Sequence, residues 1–172
     1  AAAELDVPIF VHPGEVDPVV RDLYYDHLPI EDPSAAEAAE IVFAGPGWGW
    51  HVEAGAHGLR LILGGVFDRY TNLQIILGHW GELLPFFIVR VDQVMGRVCD
   101  HLRHAPSDYF REHFHVTPSG LETDAQLLHT MAVMGPERIM YALDYPFIPG
   151  TRGRAFLDDA PISDHDKALI AH

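Results

Sequence analysis

The chain has 172 residues, 48% of them apolar and 21% charged, and a formal charge of −14 at pH 7. Eleven basic residues, ten of them arginine, stand against 25 acids, a balance that argues against nucleic acid or an anionic membrane as partner and reads most simply as solubility. This size and apolar content bury one core and exclude disorder, and no apolar run approaches the ~18–20 residues of a membrane span.

The single cysteine, Cys99, excludes an internal disulfide framework and suits a reducing compartment, so a cytoplasmic location is expected. The opening AAAEL lacks the basic and apolar regions of a signal peptide and reads as the tail of a helix. The closing SDHDKALIAH reads as a helix too, so both ends are expected to be internal to a larger unit.

In chain order, the first apolar run is Val7 to Val11, a strand ending at His12-Pro13-Gly14. Residues 15–47 form a long connection, expected to serve as a lid, a pocket wall or a plain insertion. Within it, Ser34-Ala-Ala-Glu37 reads as a capping box opening a short helix through about Phe43. After a Gly-Pro-Gly-Trp turn, helical spacing runs from Trp50 to Phe67, and Trp48 and Trp50 either wall a pocket or pack the helix start. A second strand, Leu73 to Leu77, ends at Gly78-His79-Trp80-Gly81-Glu82, and a helix is expected over Leu83 to Leu102. A third strand at about Phe114 to Thr117 ends at Pro118-Ser119-Gly120, with a helix over Glu122 to Met134. A fourth, Ile139 to Leu143, ends at Asp144-Tyr145-Pro146.

Strands that are apolar throughout, without alternation, indicate burial on both faces, the pattern of a parallel sheet. Strand–helix alternation then means an α/β fold with right-handed crossovers. A complete eightfold barrel needs ~250 residues, so size excludes a whole barrel but leaves a half barrel or a small doubly wound sheet. Each strand ends in a residue capable of chemistry: His12, His79, Ser119 or Asp144. In a parallel sheet these ends share the face where α/β enzymes place their sites. Imidazole and carboxylate donors suit zinc and similar divalent ions, and a second histidine near a metal suits proton transfer. Glu82 is placed to hydrogen-bond His79 and fix its tautomer, or simply to favour a helix dipole.

The segments VPIFVHP, GVFDRYTNLQIILGHWGELLPF and RIMYALDYPF resemble three motifs of the amidohydrolase-2 family, which includes γ-resorcylate and other dihydroxybenzoate decarboxylases. GPGWGWHVEAGAHGLRLILGGVFDRY and HFHVTPSG extend the resemblance over nearly the whole chain. It implies the C-terminal half of a (β/α)8 barrel, residues 1–172 forming one partial domain with strands five to eight. It also implies that His12 and Asp144 are ligands of a divalent metal, zinc or manganese. His79, with Glu82 as its partner, becomes the histidine beside the metal, and proton transfer falls to His79 or Asp144. The family's Glu-x-His or His-x-His pair on strand one is absent from these residues, and two ligands do not hold a catalytic metal as four do. Trp48, Trp80, Ser119 and Phe147 are the candidate walls of a substrate pocket.

The implied activity is non-oxidative decarboxylation of a small aromatic or unsaturated carboxylic acid. The alternatives are metal-dependent hydrolysis on the same fold and a catalytically silent fragment. Exposed strand edges lead to the expectation of a homo-oligomer or of packing against a missing N-terminal half. His113-Phe-His115 mimics a metal motif but precedes the apolar part of its strand and is expected to be structural. His51, His57, His101 and His104 lie in predicted helices, with no strand-end placement to recommend them.

Overall fold

In the computed structural model, which describes residues 1–148 and 152–171, three short strands form one parallel sheet in sequence order. They are β1 (Ile9–Val11), β2 (Ile75–Leu77) and β3 (Phe114–Val116). Ile75 pairs with Ile9 on one side and with Phe114 on the other. β2 is therefore the central strand, and all three of its residues are buried. The expected burial of every strand on both faces fails at β1, where Ile9 and Phe10 are exposed because that strand has a neighbour on one side only.

The fourth expected strand is reduced to one parallel bridge, Val116 to Ile139, with Met140 N–H donating to the Val116 carbonyl. Beyond it the chain turns aside toward Asp144, whose φ is 62°, and leaves the ladder. The bridge still sets Ile139 beside β3, so four parallel segments lie side by side in the order in which they occur.

Helices cover the sheet. The expected Trp50–Phe67 helix is two, Gly49–Leu63 and Val66–Arg69, separated at Gly64 and Gly65, where Gly65 takes φ 63°. The Leu83–Leu102 expectation shortens to Leu84–Met95 plus a 3₁₀ turn, Gly96–Val98. A Pro106–His113 helix leads into β3, and Asp124–Met134 follows it. Ile62, Phe67, Ile75, Leu77, Ile88, Phe110, Phe114, Leu127 and Ile139 are each at most 1% exposed and form one core. Burial of each such side chain contributes roughly 1.5–3 kcal/mol.

The 15–47 connection holds two helices, Pro18–Tyr24 and Pro33–Ala44. The second is not capped by Ser34: Asp32 accepts hydrogen bonds from Ser34 N and Ala35 N, with Pro33 at the first helical position. Proline lacks the amide that would be orphaned there, which is why the start shifts upstream. Val16, Tyr25 and Ala44 make a small separate cluster that ties the connection to Trp50. Among the described residues no helix is long and apolar enough to cross a membrane.

Candidate active site

The ends of the parallel segments open into a cavity of about 540 Å³ lined by His12, Pro46, Trp50, His51, His79, Leu121, Asp144, Phe147 and Ile148. His12, His79, Asp144 and Phe147, singled out in the sequence, thus share one space. The rings of His12 and His79 lie 6.3 Å apart, edge to face. Asp144 is near enough for its charge to favour protonation of His51. Ser119 is buried, with its hydroxyl 2.6 Å from that of Thr117, and lies beneath Gly78. Trp80 is also buried; its indole donates to the Leu121 carbonyl at 2.7 Å and packs on Phe156, facing a neighbouring groove. Trp48 precedes the Gly49–Leu63 helix and is largely exposed, and Trp50 is the tryptophan that lines the cavity.

The segment after β2 is unusual. His79, Trp80, Gly81, Glu82 and Leu83 all have positive φ, from 47° to 79°. The four-residue helical turn His79–Glu82 is therefore left-handed, not the start of the right-handed helix that Glu82 would favour electrostatically. For L-residues that conformation costs roughly 1–2 kcal/mol each, so the four non-glycine residues carry an appreciable strain that their surroundings hold in place. Trp80 N–H donates to the Thr117 carbonyl, and Gly81 is pressed against Val116 and Pro85, where a Cβ would sit 2.9–3.0 Å from both. The result is that His79 and Glu82 point the same way.

Glu82 is 1% exposed, and two histidines satisfy its carboxylate. His79 Nδ1–H donates to Oε1 at 2.7 Å, and His51 Nδ1–H donates to Oε2 at 2.7 Å. With Nδ1 engaged, His79 has Nε2 remaining for the cavity. The sequence reading missed His51. It lies on the Gly49–Leu63 helix, whose packed face of Ala54, Gly55 and Gly58 is buried against the Glu82 segment. A Cβ on Gly55 would come within 2.4 Å of the Glu82 carbonyl oxygen, so only glycine permits this approach. His51, one turn earlier on the same face, is thereby brought onto the carboxylate. That run of small residues was the available signal.

His51, His79 and Glu82 together have the donor types of a metal site, their ligand atoms lying within 4.8 Å of one another. The two 2.7 Å hydrogen bonds account for this closeness without an ion, since both Nδ1 atoms already face Glu82. His12 has a different environment. Its Nδ1–H donates to the Pro13 carbonyl at 2.6 Å, which leaves the Nε2 lone pair outward, the orientation a metal-binding imidazole takes. His113 and His115 fall away from the site. His113 donates to the Leu73 carbonyl and stacks on Phe67, and His115 lies within β3 beside Arg138. His101 donates to the Leu63 carbonyl at the end of the Gly49–Leu63 helix.

A parallel α/β sheet that gathers histidines and an aspartate around one cavity is an arrangement suited to metal-assisted chemistry. The chain belongs to the Amidohydrolase family, which it matches over residues 1–172. It is 38% identical over 160 residues to the decarboxylase orsB of Emericella nidulans, a match covering 88% of this chain and 44% of that protein. Among solved structures, a putative amidohydrolase from Staphylococcus aureus superposes with a TM-score of 0.91 at 40% identity, over 98% of this chain and 53% of the other. The dihydroxybenzoic acid decarboxylase of Polaromonas sp. JS666, crystallised with manganese and the inhibitor 2-nitroresorcinol, superposes with a TM-score of 0.83 at 29% identity, over 98% of this chain and 48% of the other. The chain spans about half the length of the curated relatives it matches.

Proposed function

We propose that this chain is the strand-five-to-eight half of a (β/α)8 metal-dependent decarboxylase acting on a small aromatic or unsaturated carboxylic acid. The strand order supports the barrel reading: parallel segments that follow one another without reversal suit a barrel, whereas a doubly wound sheet reverses order at a switch point. The exposed edge at Val7, Ile9 and Phe10 suits pairing with a further strand. The observation that carries the reaction is the sharing of one cavity by His12, His79 and Asp144 in a chain whose relatives are named decarboxylases.

His12 Nε2 and the Asp144 carboxylate are the donors that would hold a divalent ion, manganese or zinc, with the remaining ligands supplied from outside these residues. The ion would fix the substrate carboxylate and withdraw charge from it. His79, held through Nδ1 by Glu82, would take up a proton on its open Nε2 from solvent or from the substrate's acidic group and pass it on to the substrate, directly or through Asp144. Decarboxylation replaces a C–C bond with a C–H bond, so a proton must reach the carbon that carries the carboxylate. The electron pair of the breaking bond then returns to the substrate as CO₂ leaves. Trp50, Phe147 and Ile148 offer an apolar wall suited to an unsaturated ring. The test is CO₂ release from a panel of hydroxybenzoates by the intact protein loaded with manganese or zinc. Turnover that consumes esters or amides instead, with no CO₂ from any carboxylic acid, would refute the proposal.

A further inference from the structure

We propose that His51 is a positioning residue for the site: bridging the Glu82 carboxylate and the Pro46 carbonyl, it clamps Glu82 so that His79 is confined to the tautomer with Nδ1 protonated and Nε2 open to the cavity. The inference rests on the reading of His79 as the proton-transfer residue and adds to it a second histidine, on a different element, that sets its state.

Both ring nitrogens of His51 are committed. Nδ1 is 2.7 Å from Glu82 Oε2, and Nε2 is 3.0 Å from the Pro46 carbonyl oxygen. Both partners are acceptors, and a neutral imidazole has one N–H to give. With Glu82 ionised, the two contacts are satisfied together only when the ring carries both protons. The Glu82 hydrogen bond accordingly raises the pKa of His51, against the opposing effect of burial. An anion buried to this degree is costly unless both oxygens are paired. His79 pairs one of them and His51 the other.

His51 is therefore unavailable as a substrate ligand, and its effect passes through Glu82. Remove it, and Glu82 Oε2 is left buried without that partner. The carboxylate is then free to rotate, and the constraint on His79 Nδ1 weakens. The His51 and His79 rings also meet edge to face, 4.4 Å between centroids, so His51 limits where the His79 ring can swing. Pro46 adds a further link, since it lies at the end of the 15–47 connection and ties that segment to the same ring.

The experiment is a ring-nitrogen NMR measurement on the intact, metal-free protein labelled with ¹⁵N-histidine, in the parent, His51→Phe and His51→Gln. In the parent, His79 should show a protonated Nδ1 and an unprotonated Nε2, and His51 should show two protonated nitrogens. His51→Phe keeps a ring but no donor, and His79 should then move to shifts averaged between tautomers. His51→Gln keeps one donor to Glu82 and should restore most of the parent pattern. Turnover with metal bound should fall about 10–100-fold in His51→Phe, the range for partners that orient a site group, and recover in His51→Gln.

An unprotonated Nδ1 on His51 in the parent, or an unchanged His79 tautomer in His51→Phe, would overturn the clamp. So would a shift of His51 Nδ1 to a metal-bound position on adding Zn²⁺. If His51→Phe does not fold, the parent spectrum and His51→Gln decide alone. A clamp seen by NMR in a protein that releases no CO₂ would count against the decarboxylase reading and leave the clamp standing.

Discussion

Replacing Gly55 with alanine tests whether the close helix approach is what brings His51 to Glu82. The new Cβ would lie 2.4 Å from the Glu82 carbonyl oxygen, and backbone cannot give way as a side-chain tip can. Relief to ordinary contact requires the helix and the Glu82 segment to part by about 1 Å, the overpacking regime that costs roughly 1–3 kcal/mol. The same displacement would carry the 2.7 Å His51–Glu82 bond beyond hydrogen-bond range, and a charge-assisted bond is worth about 1.5–3 kcal/mol. Alanine's better helix propensity returns about 1 kcal/mol. The expected net loss is about 3 kcal/mol, or a fall in urea midpoint of roughly 1.5 M for an m-value near 2 kcal/mol/M. Gly58→Ala is the internal control: its nearest neighbour is Leu84 Cδ1 at 3.0 Å, a side-chain tip that can move. It should stay within about 1 kcal/mol of the parent. Equilibrium urea unfolding followed by circular dichroism reads both. A Gly55→Ala protein as stable as the parent, with the His51 ring nitrogens unchanged, would refute the argument that contact at this glycine places the histidine.

Further expectations concern the ligands, the acid range and the sheet edge. His12→Ala should lose bound manganese or zinc by elemental analysis, whereas His79→Asn should keep it and lose turnover by about 10²–10⁴-fold. A loss below about threefold for His79→Asn would remove its assigned role. His115 is pushed below the usual histidine pKa, chiefly by burial and then by Arg138, so the unfolded chain takes up its proton first as pH falls. Its contribution to stability is therefore complete above about pH 6.5 and is lost as pH drops below that value. His115→Gln should make the decline in urea midpoint between about pH 7 and 5.5 shallower, and an unchanged slope would count against it. With Val7, Ile9 and Phe10 exposed at the β1 edge, residues 1–172 alone should self-associate or bind apolar dye. A cooperatively melting monomer by light scattering would contradict the half-barrel proposal.

The strands that could be read from sequence were those whose aliphatic residues fill the core. Ile75, Ile76 and Leu77 have no polar member to mislead, and β2 is buried as expected. Ile139 to Leu143 looked equally apolar, yet only Ile139 bridges to β3, because the run must also deliver Asp144 to the cavity. The Pro106–His113 helix escaped notice because its polar residues break the apolar stripe, although Tyr109 and Phe110 are fully packed. At the site, His12, His79 and Asp144 were legible from their places after strands. His51 was not, because a rule about strand ends says nothing of a side chain that arrives on a helix. The left-handed turn was beyond any local reading, since Trp80, Glu82 and Leu83 have no intrinsic preference for that conformation and tertiary packing imposes it.

That turn has a consequence for how the molecule fails on warming. Its four strained non-glycine residues, together worth roughly 4–8 kcal/mol, stay left-handed only while neighbouring groups hold them, among them Thr117, Val116, Pro85 and the helix carrying His51. The central strand just before it has no such liability. Amides from His79 to Leu83 should thus exchange with solvent through a partial opening while those of β2 remain protected until the whole chain unfolds. A sample brought gently toward its melting temperature would keep its sheet and helices yet no longer present His79 and Glu82 together, so that this pairing is lost ahead of denaturation.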